Sequence, residues 1–348
     1  MRGRGASDNP TNRFERLSYE PESPQDSTAP WQPKTETILF KDTSRTIIAH
    51  NDSPDVGFST SINPYRGCEH GCIYCYARPT HEYLGFSAGL DFESRILVKL
   101  DAAALLRHEL ASPRWRPQVI AISGVTDPYQ PVERRLRITR ACLEVLAETR
   151  NPTALITKNH LITRDVDLLS ELAGHDAVVV SLSVTSLDPE LQRVMEPRTS
   201  IPARRLAAIE TLAAAGVPVR AMVAPVIPGL NDHEIPAILE AVARAGARDA
   251  SYVTLRLPHA VAPLFEDWLA RHFPHRRDKV LNRIRHMRGG RLYDPRFGAR
   301  MRGRGIFADQ IRMLFEAGYR RAGLPGDLPE LSAAAFRPPR SKGQLDLF

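Results

Sequence analysis

Cysteine is scarce in this sequence, long apolar runs are missing, and acidic charge never gains the upper hand. There are 4 cysteines in 348 residues, too few for a disulfide-stapled secreted scaffold. The opening Met1-Arg2-Gly3-Arg4 offers no apolar secretory segment. No apolar run reaches membrane-spanning length, so a soluble, cytoplasmic protein without a membrane partner is expected. Lys and Arg number 47 against 40 Asp and Glu, a formal net charge of +7. The surplus collects in arginine-rich stretches at 271–288 and 296–304. Such patches suit a polyanionic partner, nucleic acid included, and equally suit a solvated surface.

The length allows one large barrel-like domain with appendages or two ordinary domains. Residues 1–52 are rich in Pro, Ser, Asp, Asn and Arg without a sustained apolar period, and read as a flexible N-terminal arm. From about residue 57 short apolar runs at 58–62, 119–123, 154–157, 177–184, 217–226 and 251–257 read as buried strands. Amphipathic stretches at 136–149, 165–173, 202–215 and 234–245 read as the helices between them. About six βα units in this order imply an α/β fold with a parallel sheet, either a partial barrel or doubly wound. After Pro258 the helices turn basic, giving a C-terminal extension over 261–335 and a tail over 336–348 that looks extended and flexible.

What cysteine there is lies concentrated. Cys68, Cys72 and Cys75 fall within the run Gly67-Cys68-Glu69-His70-Gly71-Cys72-Ile73-Tyr74-Cys75-Tyr76. Three close thiols cannot all pair with one another, but they can ligate a compact metal centre. A closed cluster takes four protein ligands, so three leave one position open for chemistry. A structural zinc site would need His70, His81 or Cys142 as a fourth ligand. The triplet follows the first strand of the repeat, which puts it at the carboxyl end of the sheet, where parallel α/β folds build their active sites.

The spacing C-x3-C-x2-C, an aromatic residue before the third cysteine and the βα pattern that follows resemble the radical S-adenosylmethionine (SAM) superfamily. Cys75-Tyr76-Ala77-Arg78, Thr126-Asp127-Pro128-Tyr129-Gln130-Pro131-Val132-Glu133, Thr139-Arg140 and Leu182-Ser183-Val184-Thr185 look like its spore photoproduct lyase-like branch. The likeness covers about 64–258. It implies a partial (βα)6 TIM-like barrel over 53–260 and a 4Fe-4S cluster on Cys68, Cys72 and Cys75. The fourth iron would be chelated by SAM, which one electron from a donor protein cleaves to a 5′-deoxyadenosyl radical. By position, the resemblance sets Asp127, with Thr126 beside it, at the cofactor's ammonium group. Lys158 and Ser183 would meet its carboxylate and ribose, and Tyr76 would lie near the cluster with its backbone close to the adenine.

One departure bears on the reaction. The lyase uses a cysteine shortly before the Asp of this motif as hydrogen donor, and this chain reads Ser123-Gly124-Val125-Thr126-Asp127 there. Cys142 sits in a helical pattern with Ile138, Ala141, Val145 and Leu146 and reads as a packing residue. The lyase's action on thymine dimers is therefore not carried over. Glu196-Pro197-Arg198, the run from Pro225 to Asp232, and His81-Glu82-Tyr83 are weaker candidates for lining a pocket. The last residues, Gln344, Leu345, Asp346, Leu347 and Phe348, resemble the short peptide by which bacterial repair proteins dock on the sliding clamp. The expectation is a radical SAM enzyme acting on nucleic acid or a nucleotide-derived substrate, with a lyase- or repair-like reaction. The alternatives are the same chemistry on a protein or small metabolite, and a zinc-binding, non-catalytic adaptor of DNA and clamp.

Overall fold

The structure is a computed structural model that describes residues 3–15 and 36–339. Ten strands are present among them: β1 (Ile38–Lys41), β2 (Ile48–His50), β3 (Thr60–Ile62), β4 (Tyr65–Arg66), β5 (Arg95–Val98), β6 (Ile120–Ile122), β7 (Thr153–Thr157), β8 (Val178–Ser183), β9 (Val219–Val226) and β10 (Asp249–Thr254). Seven form one sheet in the order β10-β9-β8-β7-β6-β3-β2. All its pairings are parallel except β2 with β3. The six parallel strands β3, β6, β7, β8, β9 and β10 are the expected βα units, and the fold is a partial TIM-like barrel. Every residue of β8, Val-Val-Val-Ser-Leu-Ser, is buried, as β-branched residues in a central strand covered on both faces should be.

The helices Ile138–Thr149, Val166–Ala173, Pro202–Ala214 and Ile235–Arg244 carry the chain back outside the sheet. Their boundaries have local causes. Asn159 caps the 3-10 turn His160–Asp165 by accepting from Leu161 N. Asp188 accepts from Glu190 N ahead of a proline that cannot donate, which opens the helix Pro189–Met195. One apolar core joins the sheet to these helices, and Cys142 lies within it, as its packing role requires. A second core joins Cys72, Ile73 and Tyr74 to the helices Val261–His272 and Pro274–Met287 around Trp268. Trp268 is fully buried and donates from Nε1 to Val194 O at 3.0 Å. The basic extension thus braces the cysteine loop as well as extending the chain.

The described parts of the segment expected to be a flexible arm are folded onto the core. Strand β1 pairs with β5, which also pairs with β4, and β2 edges the main sheet. Residues 3–15 are held by polar groups. Asn12 Nδ2 donates to Glu82 O and Phe86 O, and Arg13 pairs with the buried Glu82. Leu90 N donates to Asp8 O. Attachment through side-chain amides and carbonyls leaves no hydrophobic period, which is why composition misses it. The start of the tail is also tied down: Arg337 N donates to Thr149 O at 2.9 Å and its Nε to Glu148 O at 2.7 Å. Gln344 to Phe348 lie outside the described residues.

Candidate functional site

Cys68, Cys72 and Cys75 occupy the loop between β4 and the 3-10 helix Arg78–Leu84. All are free thiols, Cys68 and Cys72 buried and Cys75 half-buried. Gly67 and Gly71 take left-handed backbone conformations, with φ of +80° and +67°. A Cβ on Gly71 would also fall 2.7 Å from Glu93 Oε2, so the turn needs glycine. Cys68 N donates to Phe92 O at 2.8 Å and Ile73 N to Met195 O at 3.1 Å, which fixes the loop at both ends. Burial, and then the charge of Cys68, pushes Cys75 up to about 11, with Arg78 and Lys158 opposing. Burial pushes Cys72 up as well. Deprotonation of Cys72 and Cys75 is therefore favoured when a cationic centre joins them.

Arg78 is the hub behind the loop. Fully buried, it donates from Nε to Cys72 O at 3.0 Å, from Nη2 to Gly71 O at 3.2 Å, and from Nη1 to Ala88 O and Gly89 O at 3.1 and 2.9 Å. Its guanidinium also pairs with the buried carboxylate of Glu93. That carboxylate accepts from Gly5 N at 3.0 Å and Ala6 N at 2.9 Å. A continuous relay therefore runs from the N-terminal segment through Glu93 and Arg78 to the backbone that carries Cys72.

The other side of the loop is held from β6 and β7. Thr126 Oγ1 donates to Gly67 O at 2.7 Å, and Gln130 bridges Gly67 O, Thr126 Oγ1 and Glu69 N. Asp127 Oδ1 accepts from Tyr129 N at 2.9 Å and Thr157 Oγ1 at 2.7 Å. Its Oδ2 accepts from Lys158 N at 2.9 Å and lies 3.3 Å from His70 Nδ1. Burial opposes the charge on both partners. The Asp127 carboxylate, with Cys68, nevertheless pushes His70 up to about 10, and His70 in turn holds Asp127 below the usual carboxylate range. Asp127 is thus a staple between two strand ends and the cluster loop, with four donors of its own chain on its oxygens.

Lys158 stands at the end of β7 with Nζ 3.3 Å from Ala224 O and 6.0 Å from the Tyr74 ring centre. Its charge reaches Cys72 and Cys75. Ser183, buried at the end of β8, accepts through its carbonyl from Arg205 Nη1 at 3.1 Å. Arg205 pairs with Glu196, which also takes the hydroxyls of Tyr74 and Thr185. Burial disfavours a charged Glu196, but Arg205 and Lys158 hold it down to about 2. Tyr76 lies on the rim, 48% exposed, its hydroxyl donating to Gly124 O at 2.8 Å and its ring carrying the Arg256 guanidinium at 5.1 Å.

Each fourth ligand required by the zinc alternative has surroundings of its own. His70 is engaged by Asp127, His81 packs against the rings of Phe86 and Phe92, and Cys142 belongs to the main core. Among the described residues no three His, Cys, Asp or Glu side chains converge to hold a single metal ion. The donor set suits a cluster, whose sulfurs bind separate irons. Of the weaker candidates, Glu82 is spent on Arg13 and Glu196 joins the network under the loop. The reading from sequence missed Arg78, Glu93, Gln130 and Arg205 as supports. Their signal was there, because an ionisable residue inside a run such as Leu90-Asp91-Phe92-Glu93-Ser94-Arg95-Ile96 needs a buried partner.

A family model for the Radical SAM superfamily matches residues 62–242. An uncharacterised protein of Mycobacterium tuberculosis is 38% identical over 284 residues, 81% of this chain and 80% of its own length. One from Methanocaldococcus jannaschii is 29% identical over 173 residues, 50% of this chain and 62% of its own. Among solved structures, spore photoproduct lyase complexed with dinucleoside spore photoproduct superposes with a TM-score of 0.56. It does so at 17% identity, over 83% of this chain and 80% of that one. The same lyase as a mutant with bound AdoMet and that dinucleoside gives 0.55 at 18% identity over the same shares. These structures share the partial barrel, and the lyase-like branch expected from the motifs is the one they belong to. With the family model spanning the barrel from β3 to the helix after β9, over half of its length, the chain belongs to the radical SAM superfamily.

Proposed function

We propose that this radical SAM enzyme abstracts hydrogen from a nucleotide-bearing, phosphate-containing substrate. Its cofactors are those of the family, a 4Fe-4S cluster and SAM, and the free thiols on a glycine-shaped loop fit the cluster. When bound, the two supply a 5′-deoxyadenosyl radical. This chain's residues hold and shield them. Cys68, Cys72 and Cys75 ligate three irons, Arg78 fixes the loop backbone, and Lys158 places positive charge beside the thiolates and meets the carboxylate of SAM. Ser183 would meet the ribose, and Asp127, which also holds Lys158 N, would meet the ammonium group with Thr126 beside it. Tyr76 closes the rim.

The observation that carries the substrate reading is the arginine-rich loop 288–304, anchored beside that rim. Arg288 donates to Thr254 Oγ1 and Leu255 O, and Thr254 Oγ1 donates to Met301 O. Arg291 and Arg304 on this loop have no carboxylate partner among the described residues, while Arg302 lies over the Tyr252 ring at 3.8 Å. Cations left unpaired beside an active-site mouth suit phosphate. A similar lyase structure is complexed with dinucleoside spore photoproduct, which agrees with a nucleic-acid substrate. Gly124 stands where that lyase's donor thiol would be, so the fate of the substrate radical differs from the lyase's. The tail Gln344 to Phe348 is proposed to dock on a sliding clamp.

The test is anaerobic. Reconstituted protein should cleave SAM only with a reductant present, and it should be retained on DNA or RNA at low salt and released as salt rises. Absence of reductant-dependent cleavage would remove the radical reading. Retention independent of salt, or none, would remove the nucleic-acid substrate and favour a protein or small metabolite.

A further inference from the structure

Arg256 follows β10 and reaches the rim of the site, where its guanidinium lies 5.1 Å from the centre of the Tyr76 ring. Tyr76 directly follows the third cluster cysteine and is pinned through its hydroxyl to Gly124 O. Three neighbouring arginines are spent. Arg288 holds Thr254, Leu255 and Ala299, Arg296 holds Asp294, and Arg300 holds Asp55 and Ser53. Arg256 differs from them. Its one hydrogen-bond-like contact among the described residues is from Nη1 to Met301 Sδ at 3.7 Å, a weak acceptor. Its Nε is buried and has no acceptor. Asp55 lies within reach of its charge, but that carboxylate is taken by Arg300 and by Gly298 N at 2.7 Å.

A buried donor without an acceptor is costly, so its presence at a site mouth points to an acceptor that arrives with a ligand. An arginine fork suits an oxyanion, and phosphate above all. The surroundings narrow the ligand further. Tyr76 is half exposed beside Arg256, and on the loop just beyond, Phe297 is 58% exposed with the Arg300 guanidinium 4.5 Å from its ring centre. Exposed aromatic rings alternating with guanidinium groups are the arrangement on which single-stranded nucleotides stack.

We propose that Arg256 is the phosphate subsite of the substrate pocket, taking one phosphate of a nucleotide chain and setting the attached nucleoside against Tyr76 at the cluster loop. The assignment rests on the nucleic-acid reading above and adds the residue that orients the substrate. Its test is fluorescence-anisotropy titration of a labelled single-stranded 12-mer DNA at several salt concentrations, with wild type, Arg256→Ala, Arg256→Gln and Arg256→Lys. Iron content and thermal midpoint establish that each variant is folded, and SAM affinity is measured in parallel. The alanine and glutamine variants should bind the 12-mer about tenfold more weakly or worse, and the slope of log affinity against log salt should flatten by roughly 0.7. The lysine variant should keep the slope. Affinity and slope unchanged in a wild type that does bind DNA would overturn the Arg256 subsite and leave the nucleic-acid reading standing. No binding by wild type would overturn that reading and this assignment with it. Loss of SAM affinity in the same proportion would reassign Arg256 to the cofactor and overturn the proposal. A nucleoside monophosphate that binds as tightly as the 12-mer, with the same loss in Arg256→Ala, would uphold the subsite and overturn the polymeric substrate.

Discussion

Glu196 shows how one side chain stabilises the floor of the site. Its carboxylate takes the hydroxyls of Tyr74 and Thr185 and pairs with Arg205, all of them buried. Because its folded pKa is lowered from 4.5 to about 2, its contribution is complete above about 4.5 and is lost as pH falls from there towards about 2. The thermal midpoint of wild type should therefore fall over that acid range. Glu196→Gln should lack this part of the slope and be less stable at neutral pH by about 3–5 kcal/mol, because it leaves Arg205 buried without its charge partner. A calorimetric pH series of the two proteins checks both. Arg78→Met should release iron to a chelator faster than wild type, since Gly71 O and Cys72 O lose their donors. Iron retention equal to wild type would contradict a holding role for Arg78. Neither residue's partners were legible beforehand: Glu196 was marked only as lining a pocket, and its three partners come from the cysteine loop, the chain just after β8 and the helix Pro202–Ala214.

Residues 3–15 supply the donors that complete the Glu93–Arg78 relay, so they form part of the cluster's support. Close approach makes glycine necessary on both sides of this contact: a Cβ on Gly5 would sit 1.9 Å from Gly71 O, and one on Gly89 2.0 Å from Asp8 O. Gly5→Ala, Gly89→Ala or deletion of residues 1–15 should speed iron loss and lower the thermal midpoint, while the barrel's far-ultraviolet circular dichroism stays near wild type. A deletion that retains iron as well as wild type would show the segment to be dispensable. The helices and strands of the barrel were legible because burial on a sheet or helix face repeats along the chain. Strands observed at 178–183 and 219–226 fall inside the expected runs 177–184 and 217–226. The N-terminal segment was not legible, because Asn and backbone amides bond without a repeat.

Across the whole molecule, the site and the last described residues lie at opposite ends of the barrel. The cysteine loop, Asp127, Lys158, Ser183 and Arg256 gather at the carboxyl ends of the strands. From Gly326 the chain crosses the other end, bonding Arg248 O ahead of β10, Asp176 O ahead of β8 and Thr149 O ahead of β7. The proposed clamp-docking peptide is Gln344 to Phe348. Deleting those five residues should abolish capture by immobilised sliding clamp and leave SAM cleavage unchanged. Capture that survives the deletion would remove the docking role.

The sequence by itself determined the chemistry and the layers. A thiol triplet at that spacing admits few occupants, and βα periodicity implies a parallel sheet with the triplet at its carboxyl end. Only the tertiary structure decided which residues serve that triplet. Glu93 meets Arg78 and Gly5, Asp127 meets His70, and Arg256 stands on Tyr76 with only a thioether acceptor because strand ends and loops converge there. Such pairings depend on how strands and loops pack together, and side-chain spacing along one chain carries no record of them.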